Sequence, residues 1–373
     1  YSRISNPTTA VLEERIAALD GGVGAIATAS GQAALHLAIA TLAGAGSHVL
    51  ASRALYGGSH NLLDYTLRRF GIDTTFVDPR NLSAWREAIR PNTRVLFAET
   101  LGNPGLDVLD IAGVAEIAHA AGLPLLVDGT FTTPYLLRPF DFGADLVCHS
   151  ATKFLGGHGV AIGGLLVDSG AFDWERSGRF PELTEPYAGF HGMDFQEEST
   201  VAAFLLRARR EGLRDFGACM APFTAFQLLQ GIETLSLRMQ RHVENAMTVA
   251  QYLEQDPRVE AVTYAGLKSS PYNHRALSML PKGAGALFTV SVKGGYDACV
   301  KLVDSLKLFS HVAHLGDTRS LIIHPASTTH RQLDEAAQIK AGAAPNVVRL
   351  SIGIEDVRDI IADLDQALTA ATA

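Results

Sequence analysis

The chain has 373 residues, 47% apolar and 19% charged, with 35 glycines scattered rather than repeated. That is an ordinary α/β composition, and it excludes a disordered or fibrous chain. Net charge is −8, with Lys and Arg interspersed among acids and no basic run, so the electrostatic footprint of a nucleic-acid binder is missing.

A first helix is predicted where Thr8 and Thr9 can cap it, Leu12, Ile16 and Leu19 share a face, and Gly21-Gly22 stop it. Short apolar runs then alternate with amphipathic stretches as far as about residue 167. This is the pattern of a mainly parallel sheet covered by helices on both faces. Seven strand candidates emerge, at residues 25–29, 48–52, 74–77, 94–99, 124–128, 146–149 and 163–167.

Residues 170–200 break the rhythm, mixing Trp174, Phe180, Tyr187, Phe190 and Phe195 with Pro, Gly and His. The stretch reads as a long ordered loop, either an active-site wall or a surface excursion packed by its own aromatics. One helical stretch is expected over 222–255, followed by strands at 286–292 and 347–352 among further helices. A boundary near residue 235 then gives a large domain over 9–235 and a smaller C-terminal α/β domain over 236–373.

No apolar stretch reaches the roughly 18 residues of a membrane span, and no charged-then-apolar leader opens the chain. Cys148, Cys219 and Cys299 form no CxxC pair, and Cys148 reads as a core thiol. The expectation is a cytoplasmic protein with no membrane partner and no metal site. The chain begins at Tyr1 rather than at a methionine, which leaves room for upstream sequence.

In sheets of this kind ligands sit at the carboxyl ends of strands. Three segments meet that test. Ser150-Ala151-Thr152-Lys153 follows an apolar run and precedes the Gly-rich residues 154–159. A pyridoxal phosphate (PLP) site needs a lysine amine to form an imine, and nearby hydroxyls suit the cofactor phosphate. Most lysines are merely solvated, so context decides.

That context comes first from Pro124-Leu125-Leu126-Val127-Asp128, which delivers a carboxylate at a strand end. A buried anion there suits a protonated pyridine nitrogen, although an isolated Asp more often starts a turn. The third segment, Ala29-Ser30-Gly31-Gln32-Ala33, turns from strand into helix and offers free backbone N–H groups to an anion. A dinucleotide reading of Gly21-Gly22-Val23-Gly24 fails on order, because those glycines end a helix instead of opening one.

These residues resemble the PLP-dependent enzymes of Cys/Met metabolism. The specific marks are Tyr1-Ser2-Arg3-Ile4-Ser5-Asn6-Pro7-Thr8, Ser30-Gly31-Gln32-Ala33, Tyr56-Gly57-Gly58, residues 99–104, Asp128, residues 150–153, His324-Pro325-Ala326-Ser327 and Arg349-Leu350-Ser351-Ile352-Gly353. The resemblance implies a fold-type-I, aspartate aminotransferase-like architecture and a homotetramer built as a dimer of dimers with shared active sites. It implies that residues 1–8 form an arm, with Tyr1 and Arg3 holding the neighbouring subunit's cofactor phosphate alongside Ser30, Gly31, Gln32, Ser150 and Thr152. Lys153 would carry PLP, Tyr56 would lie over its ring and Asp128 would hold its nitrogen. Asn103, His314 and Arg349 would receive the substrate, Arg349 as a planar clamp on its α-carboxylate.

Two departures stand out: Gly129 where relatives usually carry Asn, and His314 where many lyases carry Ser. Relatives also have an N-terminal arm ahead of the Tyr-Ser-Arg motif. Residues 99–110, the 172–195 loop and Leu280-Pro281-Lys282-Gly283-Ala284-Gly285 resemble the O-acetylhomoserine sulfhydrylases in particular. Methionine γ-lyases carry a Cys where Gly57-Gly58-Ser59 stands, and cystathionine-cleaving relatives place a Glu where Ala313 stands. The resemblance therefore implies γ-replacement, with sulfide or methanethiol taking the place of acetate. The alternatives are another PLP γ-synthase or γ-lyase, a nicotinamide-dependent dehydrogenase, or a catalytically silent assembly protein.

Overall fold

The computed structural model describes the chain except residues 103–105, 330, 332–333, 341 and 373. Two compact units divide it. The first comprises Tyr1–Thr100, Leu109–Gly156 and Val160–Ile232, and the second Leu101–Val108, Gly157–Gly159 and Glu233–Ala373.

The first unit is built on a seven-stranded sheet of β1 (Gly24–Thr28), β2 (His48–Ser52), β3 (Asp73–Val77), β4 (Thr93–Glu99), β5 (Leu125–Asp128), β6 (Leu146–Ser150) and β7 (Gly164–Asp168). The spatial order is β1-β7-β6-β5-β4-β2-β3, and β7 alone runs against its neighbours. Its central strands are nearly continuous apolar runs because helices bury both faces. Helix α1 (Pro7–Asp20) begins two residues earlier than a cap at Thr8 would place it. Asn6 is the cap, its side chain accepting from the Thr8 N–H, and the preset backbone angle of Pro7 suits a first helical position. Helix α2 (Gly31–Leu42) lays Ala34, Leu35, Ala38 and Leu42 on the sheet.

The 170–200 stretch is not a plain loop. It folds into one-turn helices at Trp174–Ser177, Pro181–Thr184 and Phe195–Glu198. Trp174, Phe180, Leu183 and Phe195 are buried in the core, and the Trp174 and Phe180 rings meet edge to face at 5.0 Å. These side chains belong to the first unit's core, Trp174 stacking on Phe204, so the stretch is not a surface excursion.

The helical stretch from 222 is two helices, Pro222–Glu233, in the first unit as far as Ile232, and Leu235–Glu254 in the second, interrupted at Thr234. The second unit has a five-stranded sheet of β8 (Val259–Thr263), β9 (Leu287–Val292), β10 (Ser310–His311), β11 (Leu321–Ile323) and β12 (Val347–Ser351), ordered β10-β11-β12-β9-β8. Only β9 and β12 are visible in the sequence pattern. Helices Gly295–Ser305 and Val357–Thr372 pack together beside that sheet. Among the described residues no helix is long and apolar enough to cross a membrane, and no His, Cys, Asp and Glu group could hold a metal ion.

Candidate active site

Parallel register aligns the carboxyl ends of β4, β5 and β6. Glu99 pairs with Asp128, and Asp128 with Cys148, so the three strands deliver Glu99, Asp128 and Ser150 to one edge of the sheet. Thr130 ties two of these ends together. Its N–H donates to Asp128 Oδ1 at 2.8 Å, and its Oγ1 accepts from the Ser150 N–H at 2.8 Å. Lys153 follows in the next turn, half-buried, its N–H donating to the Ser150 carbonyl at 3.2 Å. Thr152 Oγ1 closes the loop beyond, accepting from the Gly163 N–H at 3.1 Å.

The start of α2 lies directly on the end of β6. A Cβ at Gly31 would sit 2.7 Å from Ser150 Cβ, so only glycine permits this approach. Ser30 caps the helix, its Oγ accepting from the Ala33 N–H at 3.1 Å. Gln32 Oε1 accepts from Ser59 Oγ at 3.4 Å, which places the 56–59 turn beside the same helix start. The Tyr56 N–H donates to Glu99 Oε1 at 2.6 Å, and the Tyr56 ring is 53% exposed.

Burial raises the Glu99 carboxyl well above the usual range, and the neighbouring Asp128 charge adds to the effect. Asp128 is raised too, chiefly by burial, against the hydrogen bonds from Thr130 and the positive influence of His149. The Cys148 thiol, buried in register with Asp128, is pushed far up by burial and by the Asp128 and Glu99 charges.

Of the residues picked from the sequence, Ser30, Gly31, Gln32, Tyr56, Asp128, Ser150, Thr152 and Lys153 converge here. Tyr1 and Arg3 lie elsewhere within this chain. The Arg3 guanidinium donates to the Arg214 carbonyl and stacks 5.1 Å from the Tyr1 ring, which is 84% exposed. In the second unit Arg349 is on β12, its Nη2 donating to the His314 carbonyl at 3.4 Å. Asn103 falls outside the described residues. Sequence reasoning gave no role to Glu99, Thr130 or the buried His149. Glu99 ends an apolar run just as Asp128 does, so the same signal was available for it.

The sequence profile of the Cys/Met metabolism PLP-dependent enzymes matches residues 1–369. The chain belongs to that family. An O-acetyl-L-homoserine sulfhydrylase of Leptospira meyeri is 48% identical over 99% of this chain and 85% of its own length. A homocysteine synthase of Schizosaccharomyces pombe is 50% identical over 100% and 87%. A crystal structure described as an O-acetylhomoserine (thiol)-lyase of Campylobacter jejuni superposes with a TM-score of 0.96 at 38% identity, covering 99% of this chain and 88% of that one. Its lysine is present as N'-pyridoxyl-lysine-5'-monophosphate. The family's cofactor fits the edge described above: a desolvated carboxylate pair suits a protonated ring nitrogen, and the glycine-packed helix start with its hydroxyls suits a phosphate.

Proposed function

We propose that this chain catalyses γ-replacement on O-acetyl-L-homoserine, in which sulfide or methanethiol displaces acetate from the γ-carbon to give homocysteine or methionine. The observation that carries the reading is the convergence of Lys153, beyond the end of β6, with Asp128 at the end of β5 and the Gly31 helix start packed on Ser150. The sulfhydrylase and homocysteine synthase relatives, alignable over nearly the whole chain, support the choice of reaction.

When bound, PLP supplies an electron sink next to the substrate's α-carbon. Lys153 would hold it covalently and, once released, shuttle protons at the α- and β-carbons. Asp128 would keep the proton on the pyridine nitrogen. Tyr56 would cover the ring and move a proton during amine exchange or at the γ-carbon. Ser30, Gly31, Gln32, Ser150 and Thr152 would hold the phosphate, joined by Tyr1 and Arg3 of a neighbouring copy. Arg349, with Asn103 and His314, would receive the substrate carboxylate. In this reading the protein is a cytoplasmic homotetramer, a dimer of dimers. The exposed Tyr1 and the low cysteine count support those two points.

Product analysis with acetyl-, succinyl- and phosphohomoserine, each offered sulfide and methanethiol, tests the proposal. Acetylhomoserine should give homocysteine and methionine fastest. A preference for the succinyl or phosphoryl ester, or breakdown to a keto acid without thiol, would replace it with another γ-reaction.

A further inference from the structure

Asp20, the last residue of α1, and His149 on β6 make a contact that the proposed chemistry does not use. His149 Nε2 lies 2.8 Å from Asp20 Oδ2, and both side chains are wholly sealed from solvent. Asp20 Oδ1 has no hydrogen-bond partner among the described residues, so its compensation comes through this one ring. A buried carboxylate left without a cation is costly, which favours the imidazolium form of His149.

The ring presses on the residue after Asp128. A Cβ at Gly129 would stand 2.6 Å from His149 Cε1 and 3.1 Å from Nδ1, so any side chain at 129 has to displace the ring. The Gly129 N–H donates to the Cys148 carbonyl at 2.9 Å, and its carbonyl accepts from the Thr133 N–H at 2.9 Å. The turn that aims Asp128 is thus sewn to β6 on one side and backed by His149 on the other. Alternation along the strands puts Asp128 on the face of Cys148 and His149 on the opposite face, beside α1. Only the thickness of the sheet separates the two charges, and that interior screens poorly.

We propose that the Asp20–His149 pair is a positioning element for Asp128, fixing the Gly129 turn and holding a positive charge behind the strand end that keeps the Asp128 carboxylate ionised. The inference rests on Asp128 as the partner of the pyridine nitrogen. Burial works against a charged His149, and Nδ1 has no hydrogen-bond partner among the described residues, but the charges of Asp20 and Asp128 outweigh this and raise the ring above its usual value. Glu99 on β4 and Cys148 on β6 also face Asp128 and add no positive charge, so the other cation placed at this edge is Lys153, beyond the end of β6.

The test is cofactor affinity, not turnover. Apoenzyme of the parent, His149→Gln, Asp20→Asn, Gly129→Ala and Asp128→Asn is titrated with PLP by equilibrium dialysis across the acid and neutral range, with thermal melts of each apo form as the check on folding. Gln keeps a donor toward Asp20 but carries no charge. His149→Gln should bind PLP about tenfold more weakly near neutrality, one pKa unit's worth. Its loss of affinity on acidification should begin at higher pH, because Asp128 then protonates more readily. Asp20→Asn and Gly129→Ala should move that midpoint in the same direction, and Asp128→Asn should flatten the acid limb. Parental midpoints in the folded His149, Asp20 and Gly129 variants, with a flattened limb in Asp128→Asn, would overturn the inference alone. A parental profile in Asp128→Asn would instead overturn the reading of Asp128. Should His149→Gln fail to fold, the midpoints of Asp20→Asn and Gly129→Ala decide in the same way.

Discussion

The two ends of the first unit's sheet treat carboxylates differently. At the amino end of β6, Asp145 is matched locally: Oδ2 accepts from the Leu125 N–H at 2.7 Å and lies 2.9 Å from His119 Nε2. The hydrogen bond that His119 makes to Asp145 raises the imidazole above its usual value. Nearby Asp168 accepts from the Gly170 N–H at 2.8 Å. At the carboxyl end, Glu99 and Asp128 face each other across neighbouring strands, each accepting a backbone N–H, and burial raises both. Asp145, with an imidazole and a backbone N–H on the same oxygen, fastens the fold, whereas Glu99 and Asp128 form a buried acidic pair at the end where Lys153 stands.

The most damaging way to probe this contrast is at the catalytic end. Lys153→Ala should abolish turnover while the protein stays folded and retains PLP noncovalently; steady-state rates with a borohydride-reduced parent as control would check it. Near-normal turnover would remove Lys153 from the reaction. Asp128→Asn, which keeps shape but not charge, should lower kcat by orders of magnitude with little change in melting temperature. An unchanged kcat would place Asp128 with Asp145 among the fold's fasteners.

A smaller effect is expected at the chain start. Arg3→Ala should weaken PLP retention by roughly 1.5–3 kcal/mol, the value of a charge-assisted hydrogen bond to phosphate. Mixing Arg3→Ala chains, at PLP concentrations that leave their own sites empty, with inactive Lys153→Ala chains should restore activity if one copy completes the site of another. Absence of recovery in verified mixed oligomers would show a site built within one chain.

The smallest effect belongs to the opposite end. Burial pushes the Asp168 carboxyl up to about 7, so the folded state holds a proton that the unfolded chain has released above its ordinary value near 3.8. Stability from this group therefore falls as pH rises between those values and stays low above 7. Asp168→Asn, whose Oδ1 can still accept from Gly170, should raise the melting temperature at pH 8 by about 2 °C and change little near pH 4. Equal gains at both pH values would mean that the group does not titrate with folding.

The first unit's strands were legible because both faces are buried, leaving unbroken apolar runs such as Val95-Leu96-Phe97-Ala98. In the second unit, β8 is largely exposed and β10 and β11 are only two and three residues long, too little to leave a period. The interruption at Thr234 carries no Pro or Gly to announce it. At the site, local motifs revealed Lys153, Asp128 and the Gly31 turn. The Asp20–His149 contact joins residues 129 positions apart, and Glu99 was given no role although it ends an apolar run as Asp128 does. Proximity of that range is a product of topology and leaves no mark on a single sequence.

The aromatic nest around Trp174 has an optical consequence. The chain's two tryptophans, Trp85 and Trp174, are 0% and 3% exposed and both belong to the first unit. Red-shifted indole emission during denaturation therefore times the opening of that unit, while melting confined to the second, with its buried Tyr264, passes silently in the same channel. Comparing indole emission with far-ultraviolet circular dichroism along one denaturant series reveals whether the two units let go together.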